Sequence, residues 1–228
     1  MHKEYDLVVV GAGPGGYIAA ARASSLGLKT ALVEKFPQLG GTCLHRGCIP
    51  TKALLHVADI LSEIKDASAI GVSTKGVELD WAKVKKYKNR VVNTNAGGVA
   101  HLMKNKKIEV YEGLAKLTSP NSIEISGKNK TNIKAKNILL AVGSTPRELP
   151  FAPFGKRVLS SDNILDLDEI PGSLTIIGGG IIGIEFASAF ARFGSKVTVI
   201  ETLDRILAPA SIECSKELVL QLEKQNIT

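Results

Sequence analysis

Apolar positions in this chain gather into short runs that glycines and acids punctuate in a fixed order. Tyr5–Val10 (YDLVVV) is an almost unbroken apolar run of strand length that stops on Gly11. Strands covered on both faces, as in parallel sheets, read in this way. A helix of small, alanine-rich residues follows, Gly27 ends it, and residues 29–34 (KTALVE) predict a second strand closing on an acid. The order then returns. Leu174–Ile177 runs into Gly178, a helix reaches Phe193, Gly194 ends it, and residues 196–201 (KVTVIE) close on Glu201. Between the two copies, Tyr111–Val142 predicts antiparallel strands with turns at Ser119-Pro120-Asn121 and Gly127–Asn132. Leu54, Leu55, Ala58 and Leu61 recur at helical intervals after Pro50, and Ser211–Gln225 predicts a last helix.

The two copies are one unit repeated. Gly11 and Gly178, Gly13 and Gly180, Gly16 and Gly183, Lys29 and Lys196, and Glu34 and Glu201 all share an offset of 167 (178 − 11). Each copy has the form strand, G-x-G-x-x-G, helix, strand, acid. The first glycine allows the tight turn off the strand, the second lets backbone approach a pyrophosphate, and the third lets helix pack on sheet. Phosphates then meet unpaired N–H groups at the positive end of the helix dipole. Glu34 and Glu201 stand where a carboxylate accepts from ribose hydroxyls. One such glycine pattern is weak, but two in matching context predict a chain that binds two dinucleotides.

A second constellation follows Glu34: Gly40-Gly41-Thr42-Cys43-Leu44-His45-Arg46-Gly47-Cys48-Ile49-Pro50-Thr51-Lys52. Cys43 and Cys48 are five apart, and Gly47 gives the chain freedom to bring the sulfurs together. A thiol at a helix start is stabilised as thiolate, which raises its reactivity. Lys52, four residues beyond Cys48, shares its helix face and is placed to stabilise negative charge. Two duller readings compete: a zinc site of Cys43, Cys48, His45 and His56, for which no second cysteine pair completes a recognisable spacing, and two buried structural cysteines. No metal is expected. Cys214, on a polar helix, reads as an ordinary residue.

Composition removes other classes. With 44% hydrophobic and 22% charged residues among 228, the chain is a globular α/β protein, not a disordered one. A net charge of +7 raises the question of nucleic acid. Its lysines, however, concentrate in Lys83–Lys107 and Lys128–Lys136 without regular aromatic interleaving, so a solvated basic face is expected and nucleic acid is not. The apolar stretch Ile176–Ala191 is interrupted by Glu185 and rich in glycine, so no membrane span is expected. Tyr5–Val10 runs directly into Gly11 as a core strand, not as a signal peptide. Three cysteines make no disulfide framework, and a thiol-reducing compartment, the cytoplasm, is the expected location.

On these residues the chain resembles the pyridine nucleotide–disulfide oxidoreductases, and within them the dihydrolipoamide dehydrogenases. Gly40–Leu55 is similar to the family's active-site segment, with His45-Arg46 in place of the commoner Asn-Val. Residues 138–150 (ILLAVGSTPRELP) resemble its strand end beside FAD, with Val142 where threonine is usual. The resemblance implies a FAD-binding Rossmann-type domain over 1–150, an antiparallel β-meander within it, and an incomplete NAD-binding Rossmann domain over 151–228. It implies FAD contacts at Gly11, Gly13, Gly16, Glu34, Lys35, Gly41, Thr42, Lys52, Ala115 and Gly143. It places NAD on Gly178, Gly180, Gly183 and Glu201, with Glu185 near the nicotinamide. Cys43 becomes the thiol that exchanges with substrate, and Cys48 the thiolate facing the flavin. The implied reaction oxidises dihydrolipoyl groups of 2-oxoacid dehydrogenase complexes through a Cys43–Cys48 disulfide, with electrons passing via FAD to NAD⁺.

The family pattern continues beyond Thr228. The expectation is therefore a nicotinamide unit that stops before its third strand, without the C-terminal dimerisation domain and its catalytic His–Glu pair. Such a chain would be inactive alone, and a homodimer would need the missing domain. The histidines His2, His45, His56 and His101 do not match that pair's context. Two alternatives remain open: an NADPH-dependent disulfide or mercuric-type reductase, with Arg205 as candidate 2′-phosphate ligand, and a non-catalytic FAD-binding fragment.

Overall fold

The structure, a computed structural model, describes residues 3–228. The chain forms two compact units, Met1–Ile49 with Arg90–Phe151, and Pro50–Asn89 with Ala152–Thr228. This division differs from consecutive domains over 1–150 and 151–228, because residues 50–89 belong with the second unit.

In the first unit β1 (Lys3–Val10) is central to a six-stranded sheet. It pairs in parallel with β2 (Thr30–Glu34) and, on its other side, with β6 (Thr131–Leu140). β3 (Glu109–Glu112) lies parallel to β2, while β4 (Leu114–Ser119) and β5 (Ser122–Ser126) extend the sheet antiparallel from β6. Val9 and Leu32 face one core, and Val8, Ala31 and Val33 the other. Burial of both faces explains why these strands show no polar alternation. α1 (Pro14–Ser25) and α2 (Gly41–Arg46) belong to this unit. Tyr111, expected in an antiparallel strand, lies instead in parallel β3. The chain reaches β3 through a long helix, and such a crossover delivers a parallel strand.

The second unit contains the parallel pair β7 (Ser173–Ile177) and β8 (Lys196–Ile200), with α5 (Ile181–Arg192) and α6 (Ile212–Lys224). At the end of the chain Val199 N–H donates to the Thr228 carbonyl (2.7 Å) and Thr228 N–H to the Val197 carbonyl (3.2 Å), which ties Thr228 to β8. Most of α3 (Cys48–Asp66) and the start of α4 (Trp81–Asn105) pack here too. Leu54, Ala58, Phe186, Ala187, Phe190 and Val197 form the core, and Trp81 sits edge-on to Phe193 at 5.5 Å.

Along α4 the lysines 83, 86 and 104, with 106 and 107 just beyond it, are exposed as a solvated face requires, and the departure is at Lys88 and half-buried Lys85. Lys88 is only 3% exposed, and its ammonium donates to the Leu165 carbonyl (2.5 Å) and Asp166 Oδ1 (2.8 Å). Trp81 Nε1 donates to Leu167 O (3.0 Å), and Lys85 pairs with Asp168 (2.8 Å). Residues 81, 85 and 88 share one helix face, so this face clips the segment 165–168. Among the described residues no helix is long and apolar enough to cross a membrane.

A buried ammonium with two partners leaves an orphaned carbonyl when it is removed. Lys88→Ala is expected to lower unfolding free energy by about 2–3 kcal/mol, against under about 0.5 kcal/mol for exposed Lys86→Ala. Urea denaturation of both variants checks this.

Candidate dinucleotide and thiol sites

The repeat seen in sequence recurs in the backbone bonds that close each turn. Gly11 (φ +98°) and Gly178 (φ +111°) turn the chain off β1 and β7 in a conformation that favours glycine. Gly11 N–H donates to Val33 O and Gly178 N–H to Ile200 O, both at 2.8 Å. A Cβ on Gly16 would sit 1.8 Å from Gly11 O, and one on Gly183 would sit 2.2 Å from Gly178 O. No side chain fits at either contact, so α1 and α5 press directly on the turns before them.

The acids close each turn. Glu34 Oε2 accepts from Ala12 N–H (2.7 Å) and Oε1 from Phe36 N–H (3.1 Å). Glu201 Oε2 accepts from Gly179 N–H (2.8 Å), and Oε1 accepts from Thr202 N–H (2.7 Å) and Leu203 N–H (3.0 Å). The Leu203 amide, then those of Gly179 and Thr202, hold the Glu201 carboxyl below its ordinary value of 4.5. Each acid therefore binds the turn of its own glycine pattern before any ligand does.

What the turns leave open is the helix start. Gly13 is the residue before α1 and Gly180 the residue before α5, and neither supplies a side-chain cap. By contrast Ser211 caps α6 by accepting from Cys214 N–H. A Cβ on Gly13 would meet only Gly41 Cα, at 3.9 Å, and one on Gly180 would meet nothing within 4 Å. Uncapped N–H groups beside open space fit the pyrophosphate of a dinucleotide.

Gly41 (φ +62°) completes the first cradle: a Cβ there would lie 2.5 Å from Gly13 Cα, so two backbone turns touch. Gly40 N–H donates to Ala12 O at 2.9 Å. This glycine belonged to the motif but was not singled out as a site residue. Its left-handed φ of +123° and its place in an adjacent glycine pair are the signal. Thr42 and Lys35 are exposed beside the cradle, and Lys35 lies 5.0 Å over Phe36. Ala115 sits in β4 opposite Ile125, and Gly143 (φ +71°) is exposed beyond β6.

The cysteines sit at a helix break. Cys43 is the third residue of α2 and Cys48 the first of α3; Cys43 is half-buried and Cys48 exposed. Gly47 makes the break, since a Cβ there would crowd Thr42 O at 3.1 Å and Cys43 Cα at 3.3 Å. His45 Nε2 lies 2.8 Å from Leu39 O, which ties α2 to the loop before it. His101 Nε2 is 2.8 Å from Asn105, and His56 lies against Tyr87. His2 falls outside the described residues. Among the described residues no group of three or more His, Cys, Asp or Glu side chains is placed to hold a metal ion.

Lys52 lies in the second unit, where its ammonium meets Glu185 at 2.5 Å. Arg205, the candidate phosphate ligand, donates instead to the carbonyls of Ala208 (2.7 Å) and Ala210 (3.4 Å). Its guanidinium braces its own loop, which no local pattern announces.

Comparison with known proteins agrees with this geometry. Residues 5–228 match the sequence profile of the pyridine nucleotide-disulphide oxidoreductases. A dihydrolipoyl dehydrogenase of Bacillus subtilis is 48% identical over the whole chain, which spans 50% of that protein. One from Chlamydia pneumoniae is 46% identical, again over the whole chain and 49% of the relative. The chain thus spans about half the length of these curated relatives. Among solved structures, the Cu(II) complex of the HOCl-induced flavoprotein disulfide reductase RclA from Escherichia coli superposes with a TM-score of 0.81 at 30% identity. That match covers all of this chain and 48% of the other.

The lowered Glu201 pKa sets a pH signature. The folded carboxyl ionises below 4.5, so its stabilisation is present above that value and is lost as pH falls through the lower folded one. Glu201→Gln should therefore melt below the wild type at pH 7. The difference should stay constant to about pH 5 and shrink in more acid solution. Paired melting curves across pH measure it.

Proposed function

The chain belongs to the pyridine nucleotide-disulphide oxidoreductases, and from that premise we propose that a protein carrying it oxidises dihydrolipoyl groups and passes the electrons to NAD⁺. The single observation behind this reading is the bonding of Glu34 and Glu201, each seated on its own uncapped glycine turn. That makes two dinucleotide cradles in one chain, with a thiol pair adjoining the first. Lipoyl groups of 2-oxoacid dehydrogenase complexes are the proposed partners, in line with the names of the relatives.

FAD fits the first cradle: Gly11, Gly13 and Gly16 give its pyrophosphate access to the α1 N–H groups, and Glu34 offers a carboxylate to its ribose. When bound, FAD supplies a carrier that takes an electron pair from sulfur and delivers it as hydride to nicotinamide. The remaining chemistry belongs to the chain. In the oxidised protein a substrate thiolate attacks Cys43 of the Cys43–Cys48 disulfide, and Cys48 leaves as thiolate. The second substrate thiol then displaces Cys43, so two substrate thiols become a disulfide while the protein gains two thiols. The leaving role falls to Cys48, the exposed first residue of α3.

The second cradle favours NAD⁺ over NADP⁺, since the Glu201 carboxylate would face a 2′-phosphate, and Arg205 is engaged by its own loop. The protein in full length is expected to prefer NAD⁺ by at least about a hundredfold in kcat/KM, roughly 2.7 kcal/mol. Steady-state rates with dihydrolipoamide and each nucleotide test the whole reading. Equal use of NADP⁺ would overturn the nucleotide assignment, and no dihydrolipoamide oxidation would overturn the substrate.

A further inference from the structure

Within the second unit, α3 and α5 are joined by two ion pairs of opposite sense. Lys52 on α3 meets Glu185 on α5, and seven residues further along both helices Asp59 meets Arg192. The offset is 133 in each case (185 − 52 and 192 − 59), so the helices run in the same direction and hold one register over about 10 Å. Between the pairs in sequence lie Leu54 and Ala58 on α3 and Ala187 on α5, all at most 1% exposed and part of one apolar core. Apolar contacts of this kind are non-directional and by themselves specify axial position poorly.

The charges supply what these contacts lack. A slip of seven residues one way would set Lys52 against Arg192, and the other way Asp59 against Glu185. Both slips bring like charges together, so only the observed register satisfies both ends. The two ends are not equally firm. The Arg192 side chain is 16% exposed and also braced on its own helix, with Nε donating to Ser188 O (3.0 Å) and Nη2 to Ser188 Oγ (3.2 Å). Ser188 in turn donates to Gln225 at the end of α6 (2.8 Å). The Lys52 side chain is 56% exposed. A long, exposed lysine is easily lost to solvent unless its partner is held where it can reach.

We propose that Asp59 and Arg192 are positioning residues: their pair sets the register of α3 on α5 and thereby holds the Lys52 ammonium on Glu185. In the proposed reaction this would fix a cation one turn from the Cys48 end of α3. That consequence rests on the function proposed above, whereas the register does not.

The test reads Lys52 directly. The protein is acetylated with substoichiometric acetic anhydride, and labelling of Lys52 is compared by mass spectrometry with that of exposed Lys86. Glu185→Gln should raise Lys52 labelling about threefold, the protection expected of a half-exposed ion pair. Asp59→Asn and Arg192→Met should each produce at least about half of that rise, and Asp59→Glu, which keeps the charge pair and its sense, should leave labelling near the wild-type level. Asp59 is itself 57% exposed, so Asp59→Asn retains the fold if Arg192→Met does not. Unchanged Lys52 labelling in Asp59→Asn, even with a lowered Tm, would reduce the pair to a structural contact and overturn the proposal. So would an equal rise in Asp59→Glu, in which the charge pair is kept. Since no nucleotide or thiol substrate enters the measurement, its failure is distinguishable from failure of the dihydrolipoyl reading.

Discussion

The fold of both cradles depends on a place where no side chain can exist. The first turn of α1 crosses the exit of β1 so closely that any Cβ on Gly16 would overlap the Gly11 carbonyl, and α5 repeats this at Gly183 and Gly178. From that contact the rest follows. The helix start is held at the strand end, the amide of the intervening residue turns inward, and the acid at the end of the next strand receives it. The helix N–H groups beyond are left without a side-chain cap. A helix that only had to be stable would carry a serine or aspartate there, as α6 carries Ser211. Two helices of this chain forgo that stabilisation at matching positions, which leaves their first N–H groups open in the way the proposed dinucleotide binding would need.

This is also why the cradles were legible in the sequence. Glycine at the first and third positions of each pattern meets a demand of the turn itself, and the acid 23 residues after the first glycine (34 − 11) receives the amide of that turn. The same holds for Gly47, whose contacts lie a few residues away along the chain. What escaped the sequence is long-range. Lys88 belongs to a run of lysines that looks solvated, and only the arrival of residues 165–166, far along the chain, buries it. Tyr111 reads as part of a meander because its parallel partner, β2, lies far before it in sequence. Residues 50–89 carry an ordinary amphipathic pattern, and nothing in that pattern states which core it joins. Arg205 offers a free-looking guanidinium until its own loop folds back to engage it.

The two acids, alike in bonding, sit in different surroundings, and the difference bears on what each can still accept. An ionised carboxylate has about four lone-pair directions. Glu34, 7% exposed, commits one oxygen to Ala12 and the other to Phe36. Glu201 is less buried and commits Oε1 to the Thr202 and Leu203 amides and, at 3.3 Å, to the Thr202 hydroxyl. In both copies the oxygen that receives the turn amide, Oε2, takes one bond from it. That oxygen therefore keeps acceptor capacity on the side of the turn, whereas Oε1 of Glu201 is saturated by its own strand end. In the function proposed above, a ribose hydroxyl at the second cradle would meet Oε2 as its acceptor, next to the Gly179 amide that already orients it. The backbone bonds to both oxygens would then fix which of them faces the sugar.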